Sequence, residues 1–237
     1  MLIHFGCCKQ LLQVYTTTMI GDRVLPKPHH TKAAREIFKI LQGPAPGERP
    51  ILTIAGESGG GKSEIASELS RFYGDAGCDV FVFQQDDYFY YPPKTNDGIR
   101  KKDINHVGTG EVDLALLDEH LKVFRRSSAT AINKPLVIFE EDRITEESIA
   151  PNDYGVAIAE GTYTTLLQNV DYRVFIDRTY EDTRDDRIAR RRERIDDFSE
   201  KILRIEHEII TAHKPLADFI VSKEFTVTLT EGGKRRV

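Results

Sequence analysis

The stretch Ile54–Ala66, IAGESGGGKSEIA, decides the fold. Three consecutive glycines stand ahead of Lys62 and Ser63, and the spacing Gly56-x-x-x-x-Gly61-Lys62-Ser63 is that of a phosphate-binding loop. In such a loop backbone N–H groups wrap a phosphate, the lysine reaches the terminal phosphates and the hydroxyl ligates Mg²⁺. Gly56, Glu57, Ser58, Gly59, Gly60, Gly61, Lys62, Ser63 and Glu64 are therefore the expected nucleotide contacts. The flanks agree with this reading. Pro50–Ala55 is an apolar run of strand length, and Ile65, Leu69 and Phe72 recur at i, i+4 and i+7, one face of a helix whose N-terminus adds its dipole to the loop.

Working outward, the pattern alternates between strand-like and helix-like segments. Upstream, Ala34, Ile37, Phe38 and Leu41 fall at helical spacing with Thr31 as N-cap, and the linker Gly43–Gly47 follows. Residues 1–48 are thus expected to be an extension with a helix at about 31–42. Downstream, Val80–Phe83 reads as a strand and Leu114, Leu117, Leu121 and Phe124 as a helix; Leu136–Phe139, Val156–Ala159 and Arg173–Ile176 are further apolar runs. Asp218–Val221 and Phe225–Leu229 look like closing strands. The alternation predicts one α/β domain over 49–230, mainly parallel with helices on both faces, and a tail over 231–237.

Composition narrows the partners. The chain has 237 residues, 40% hydrophobic and 30% charged, and no apolar run reaches the roughly 20 residues a membrane span needs. A formal charge of −5 does not favour a general nucleic-acid surface. Cys7, Cys8 and Cys78 show neither metal-ligand spacing nor a disulfide framework, so a reducing cytoplasmic setting is expected. Lys9 and Gln10 interrupt the mildly apolar start and no small-residue cleavage site follows, which argues against a signal peptide.

A phosphate loop by itself does not distinguish kinases, GTPases and ATP-driven machines. Asn133-Lys134 is followed by Pro135-Leu136 and precedes its strand, and Asp-x-x-Gly is absent, so a GTPase is not expected. The run Val156–Ala159 ends in Glu160-Gly161 rather than the Asp-Glu usual in ATP-driven machines. A second constellation points to transfer instead. Asp86 and Asp87 stand where the strand from Val80 should emerge, and ligands gather at the carboxyl ends of parallel strands. A carboxylate there suits the base that accepts the proton of an attacking hydroxyl, and Asp86 is the candidate, with a second candidacy as a metal ligand.

The chain resembles the uridine kinase and phosphoribulokinase family of phosphate-loop kinases. The resemblance rests on Gly56–Ser63, Gln85-Asp86-Asp87-Tyr88-Phe89, Ala159-Glu160-Gly161-Thr162-Tyr163, the strand Val174–Asp177 with its arginine-rich sequel, and Ala217–Val221, in that order. It implies a P-loop nucleoside triphosphate hydrolase fold, ATP as donor, Asp86 as catalytic base and Glu160 as a Mg²⁺ holder beside Ser63. It also implies that residues 180–197 form a lid. Arg184, Arg187, Arg191 and Arg194 share one helical face there, and Arg187 and Arg191 are the arginines expected over the ATP phosphates.

Departures fall on the acceptor side. Where uridine kinases carry an aromatic-Asp-aromatic segment and a histidine for the pyrimidine, an ungapped alignment puts Glu141, Arg143 and Glu146. The family's Asp-His-Pro reads Asn105-His106-Val107, while Tyr88 and its aromatic neighbours follow the base. Tyr88, His106, Glu141, Arg143 and Glu146 are the expected acceptor residues. The acceptor is then a nucleoside, or a sugar or polyol. The alternative is a nucleotide-binding regulatory protein without acceptor chemistry. The helix near residue 31 packs either on the domain or on a second subunit, so a homo-oligomer is also considered.

Overall fold

The computed structural model describes residues 24–42, 44–45, 47–126, 129–190 and 196–237. Its centre is a six-stranded sheet built from β1 (Ile51–Gly56), β2 (Val80–Gln84), β5 (Val156–Gly161), β6 (Tyr172–Ile176), β7 (Phe219–Val221) and β8 (Val227–Leu229). Their spatial order is β2-β5-β1-β6-β7-β8. The first five strands are parallel, and β8 runs antiparallel to β7. This is the mainly parallel sheet that the alternation predicts, in the P-loop fold that the resemblance implies. β1, first in sequence, lies between the later β5 and β6, so the chain order reverses beside it and opens a crevice at its carboxyl end.

The strands are buried on both faces, which is why they read as continuous apolar runs rather than as alternation. The two-residue period still divides the core. Leu52, Ile54, Val80, Val82, Ile158, Val174 and Ile176 face one cluster, whereas Ile51, Ala55, Phe81, Phe83, Ala157, Ala159 and Phe175 face the other. On the first side lie α1 (Pro28–Leu41) and α2 (Lys62–Asp75), which contribute Ala33, Ala34, Ile37, Ile65 and Leu69. On the second lie α4 (Leu114–Arg126) and α6 (Asp197–His213), through Leu117, Leu121, Phe124 and Ile210.

α1 packs on this domain's own sheet, with Phe38 edge-on to Tyr73 of α2. It starts at Pro28 rather than Thr31, because Pro28 at N1 presets the helical φ and the His30 ring accepts the Lys27 N–H at 3.0 Å. The second departure is larger. Leu136–Phe139 does not join the main sheet: β3 (Ile132–Ile138) pairs antiparallel with β4 (Arg143–Ile149) in a separate hairpin. What fixes the hairpin is non-local. Lys134 Nζ reaches Asp87 at 2.8 Å and Glu147 at 3.2 Å, and the Val137 N–H donates to Asp87 at 2.9 Å. At the other end of the hairpin Asp142, in the turn, accepts from the backbone N–H groups of Lys94 and Thr95 at the start of α3 (Pro93–Lys102). Among the described residues no helix is long and apolar enough to cross a membrane.

Candidate active site

The glycine loop sits between the end of β1 and the start of α2, and its glycines are there for stereochemical reasons. Gly59 and Gly61 have φ of +73° and +101°, where a Cβ is strained. A Cβ on Gly59 would meet Arg187 Cγ at 2.9 Å, and one on Gly61 would meet His30 Nε2 at 2.8 Å. Side chains therefore press on the loop from both ends. Lys62 Nζ donates to the Glu57 carbonyl at 3.0 Å, which holds the ammonium across the loop.

Four further carboxylates stand around the loop in distinct surroundings. Ser63, in the first turn of α2, donates through Oγ to Glu160 at the end of β5, 3.1 Å away. Glu160 is only 8% exposed, and burial pushes its carboxyl up to about 7, with Asp86 and Glu64 adding to the rise and Lys62 and Ser63 opposing it. Asp86 and Asp87 leave β2 in a 3-10 turn and part company. Asp87 is buried against Lys134, so its role is structural; Asp86 is solvent-exposed and near enough to Glu160 for its charge to be felt. Glu64 is buried in the first turn of α2.

Glu57, an expected loop contact, also latches the loop to its surroundings. One of its oxygens meets His207 Nδ1 of α6 at 2.7 Å and the other accepts the Tyr180 N–H. Thr183 Oγ1 donates to the Ser58 carbonyl at 2.8 Å. α5 (Arg184–Arg190) follows, and Arg187 lies 4% exposed against Gly59 with a guanidinium nitrogen on the Tyr180 carbonyl at 2.9 Å. Arg187, expected in a lid, is thus on the loop, while Arg191 lies outside the described residues.

The expected acceptor residues do not assemble as the ungapped alignment has them. Tyr88 is a core residue, 1% exposed, its hydroxyl 2.9 Å from His120 Nδ1. Glu141 and Arg143 pair with each other at 2.8 Å in the exposed hairpin turn. Glu146 is exposed on the face of β4 opposite Glu147, as a two-residue period requires. His106 does join a polar group: its Nε2 is 3.1 Å from Asn96 Oδ1, beside the buried Glu111 and Arg100. Arg100, Glu111, His207, Tyr180 and Thr183 belong to no local motif, and only their partners reveal them.

The arrangement fits a nucleoside triphosphate with Mg²⁺. The loop's glycines are packed too closely by Arg187 and His30 to carry side chains, and Ser63 with Glu160 offers hard oxygen ligands in one corner. Among the described residues no group of three or more His, Cys, Asp and Glu could hold a metal by itself, which suits an ion that also takes phosphate oxygens.

The model of the Phosphoribulokinase / Uridine kinase family matches residues 51–220. A bifunctional alpha-galactosidase/sucrose kinase from Mediterraneibacter gnavus is 25% identical over 197 residues, 76% of this chain and 20% of that protein. A uridine kinase from Serratia proteamaculans is 31% identical over 132 residues, 54% of this chain and 61% of the relative. The chain thus spans less than two thirds of either relative. The solved phosphoribulokinase from Rhodobacter spheroides superposes with a TM-score of 0.54 at 14% identity, covering 74% of this chain and 70% of that one, and so shares the fold. With 170 residues of sequence matched and the loop, Asp86 and Glu160 gathered at the carboxyl ends of β1, β2 and β5, the chain belongs to the Phosphoribulokinase / Uridine kinase family.

Proposed function

We propose that the protein is an ATP-dependent kinase that transfers the γ-phosphoryl group to a hydroxyl of a small molecule, a nucleoside or a sugar or polyol. One observation carries this reading. An exposed carboxylate, Asp86, stands within electrostatic reach of the buried Glu160, which Ser63 binds at 3.1 Å.

The loop amides from Gly56 to Ser63 cradle the phosphates, and Lys62 turns from the Glu57 carbonyl to the terminal phosphates. Ser63, Glu160 and Asp86 are the residues that would hold Mg²⁺, which would supply positive charge to offset that of the phosphates. Asp86 accepts the proton of the acceptor hydroxyl as its oxygen attacks. Arg187 stabilises negative charge on the transferred group and helps keep water out, the role that the resemblance also gives Arg191.

The test is ADP release with Mg²⁺ and a panel of nucleosides, free sugars, polyols and sugar acids. Turnover on any of them supports the reading. ATP binding with transfer to none would leave the regulatory alternative.

A further inference from the structure

We propose, resting on the kinase reading, that Arg100, Glu206, His106 and Tyr163 form the acceptor subsite and that it takes an uncharged polyhydroxyl compound, a free sugar or polyol.

Hydrogen bonds tie the chain around this group to the residues flanking Asp86. The chain leaving Asp86 runs against the segment at Glu111: the Tyr90 N–H donates to the Glu111 carbonyl at 2.9 Å and the Asp113 N–H to the Tyr88 carbonyl at 2.8 Å. From the other side the Tyr163 N–H donates to Gln85 Oε1 at 2.7 Å, one residue before Asp86.

Glu111 itself is fully buried and saturated, accepting from both Arg100 Nε and Nη2, from Asn96 and from the Gly108 N–H. Arg100 also reaches Glu206 at 3.1 Å. Yet Arg100, Glu206 and His106 keep 15%, 13% and 20% exposure, so the cluster opens outward. Tyr163 supplies an independent sign of a ligand. It is 1% exposed, its hydroxyl has no hydrogen-bond partner among the described residues, and the charges of Glu206, Glu111 and Arg100 all act on it. A buried phenol ordinarily finds a partner.

Charge decides the class of compound. The cluster's guanidinium is already shared between two carboxylates, Glu111 and Glu206. A phosphate or carboxylate on the acceptor would meet these carboxylates without a counterion, which is costly in a partly buried site. Neutral hydroxyls donate to Glu206 and accept from Tyr163 and Arg100. Of the residues expected to stack a base, Tyr88 is taken by the core and Glu141, Arg143 and Glu146 are charged; the aromatic face left beside the group is Tyr91, its ring 6.2 Å from that of His106, and it can cover a sugar ring as well as a base.

The experiment measures kcat/KM of the full chain with ATP and Mg²⁺ on matched acceptors: glucose, sorbitol and sucrose against gluconate, glucose 6-phosphate and uridine. The expected result is a neutral sugar or polyol at least about tenfold ahead of every anion and of uridine. Glu206→Gln and the milder Tyr163→Phe should each raise the acceptor KM about tenfold while the ATP KM stays within about twofold. Faster turnover of an anion or of uridine overturns the subsite and leaves the kinase reading intact. Unchanged acceptor KM in both variants overturns it as well. ATP binding with no acceptor phosphorylated overturns both.

Discussion

Ser63 Oγ lies 3.1 Å from a Glu160 oxygen and donates to it, so the first turn of α2 and the end of β5 share one oxygen-rich corner beside Lys62. If that corner holds Mg²⁺, Glu160→Gln should raise the Mg²⁺ concentration for half-maximal transfer about 10- to 100-fold. Chelation with EDTA should abolish transfer by the unaltered protein. A Mg²⁺ titration of initial rates checks both outcomes.

The hairpin depends on a buried ion pair. Lys134 and Asp87 are 2.8 Å apart with side chains 2% and 3% exposed. Burial raises the Asp87 carboxyl from its ordinary value while Lys134 and the Val137 N–H draw it back. Lys134→Met strands a buried carboxylate and should cost about 3–5 kcal/mol, a Tm drop of roughly 10 °C for a chain of this size. Lys134→Met combined with Asp87→Leu should recover part of the loss. Urea denaturation of the single and double variants measures this.

His30 makes stability pH-dependent. Burial, with the nearby His29 and Lys27 charges, lowers its pKa to about 3. A folded-state value below the unfolded one means the neutral ring's contribution is complete above the unfolded value, about 6.5, and is lost as pH falls toward 3. Stability should therefore drop by about 2 kcal/mol between pH 7 and pH 5 on this account alone. His30→Gln should flatten the profile in that range, as followed by thermal unfolding.

The latch between the loop and α6 is also open to test. His207→Ala removes the 2.7 Å contact to Glu57 and leaves that buried carboxylate on the Tyr180 N–H. Its desolvation, which already raises the Glu57 pKa, then lacks its largest compensation. ATP affinity should fall by about tenfold with a smaller change in acceptor KM, read by calorimetric titration and steady-state kinetics.

β1, the loop and α2 are legible because their signals are local: glycine spacing, an apolar run and an i, i+4, i+7 stripe. The strand-end position of Asp86 points it out, whereas the role expected of Glu160 comes with the resemblance; the structure puts the two at the carboxyl ends of β2 and β5. The hairpin is not legible, since Leu136–Phe139 has the composition of a sheet strand and its destination depends on Lys134 finding Asp87 47 residues away. Tyr88 shows the same limit. The aromatic run after Asp86 does not tell which ring turns into the core, and the His120 contact decides it. Phe225 was placed in a closing strand, whereas its φ of +61° makes it a turn residue ahead of β8.

The central claim is that Asp86 takes the proton of an acceptor hydroxyl. Its most direct test is single-turnover transfer from γ-labelled ATP by Asp86→Asn, alongside ATP binding by the same protein. The account predicts a transfer rate lower by about 10²–10⁴-fold with ATP affinity within about threefold of the unaltered protein. Transfer at the full rate by Asp86→Asn would contradict it.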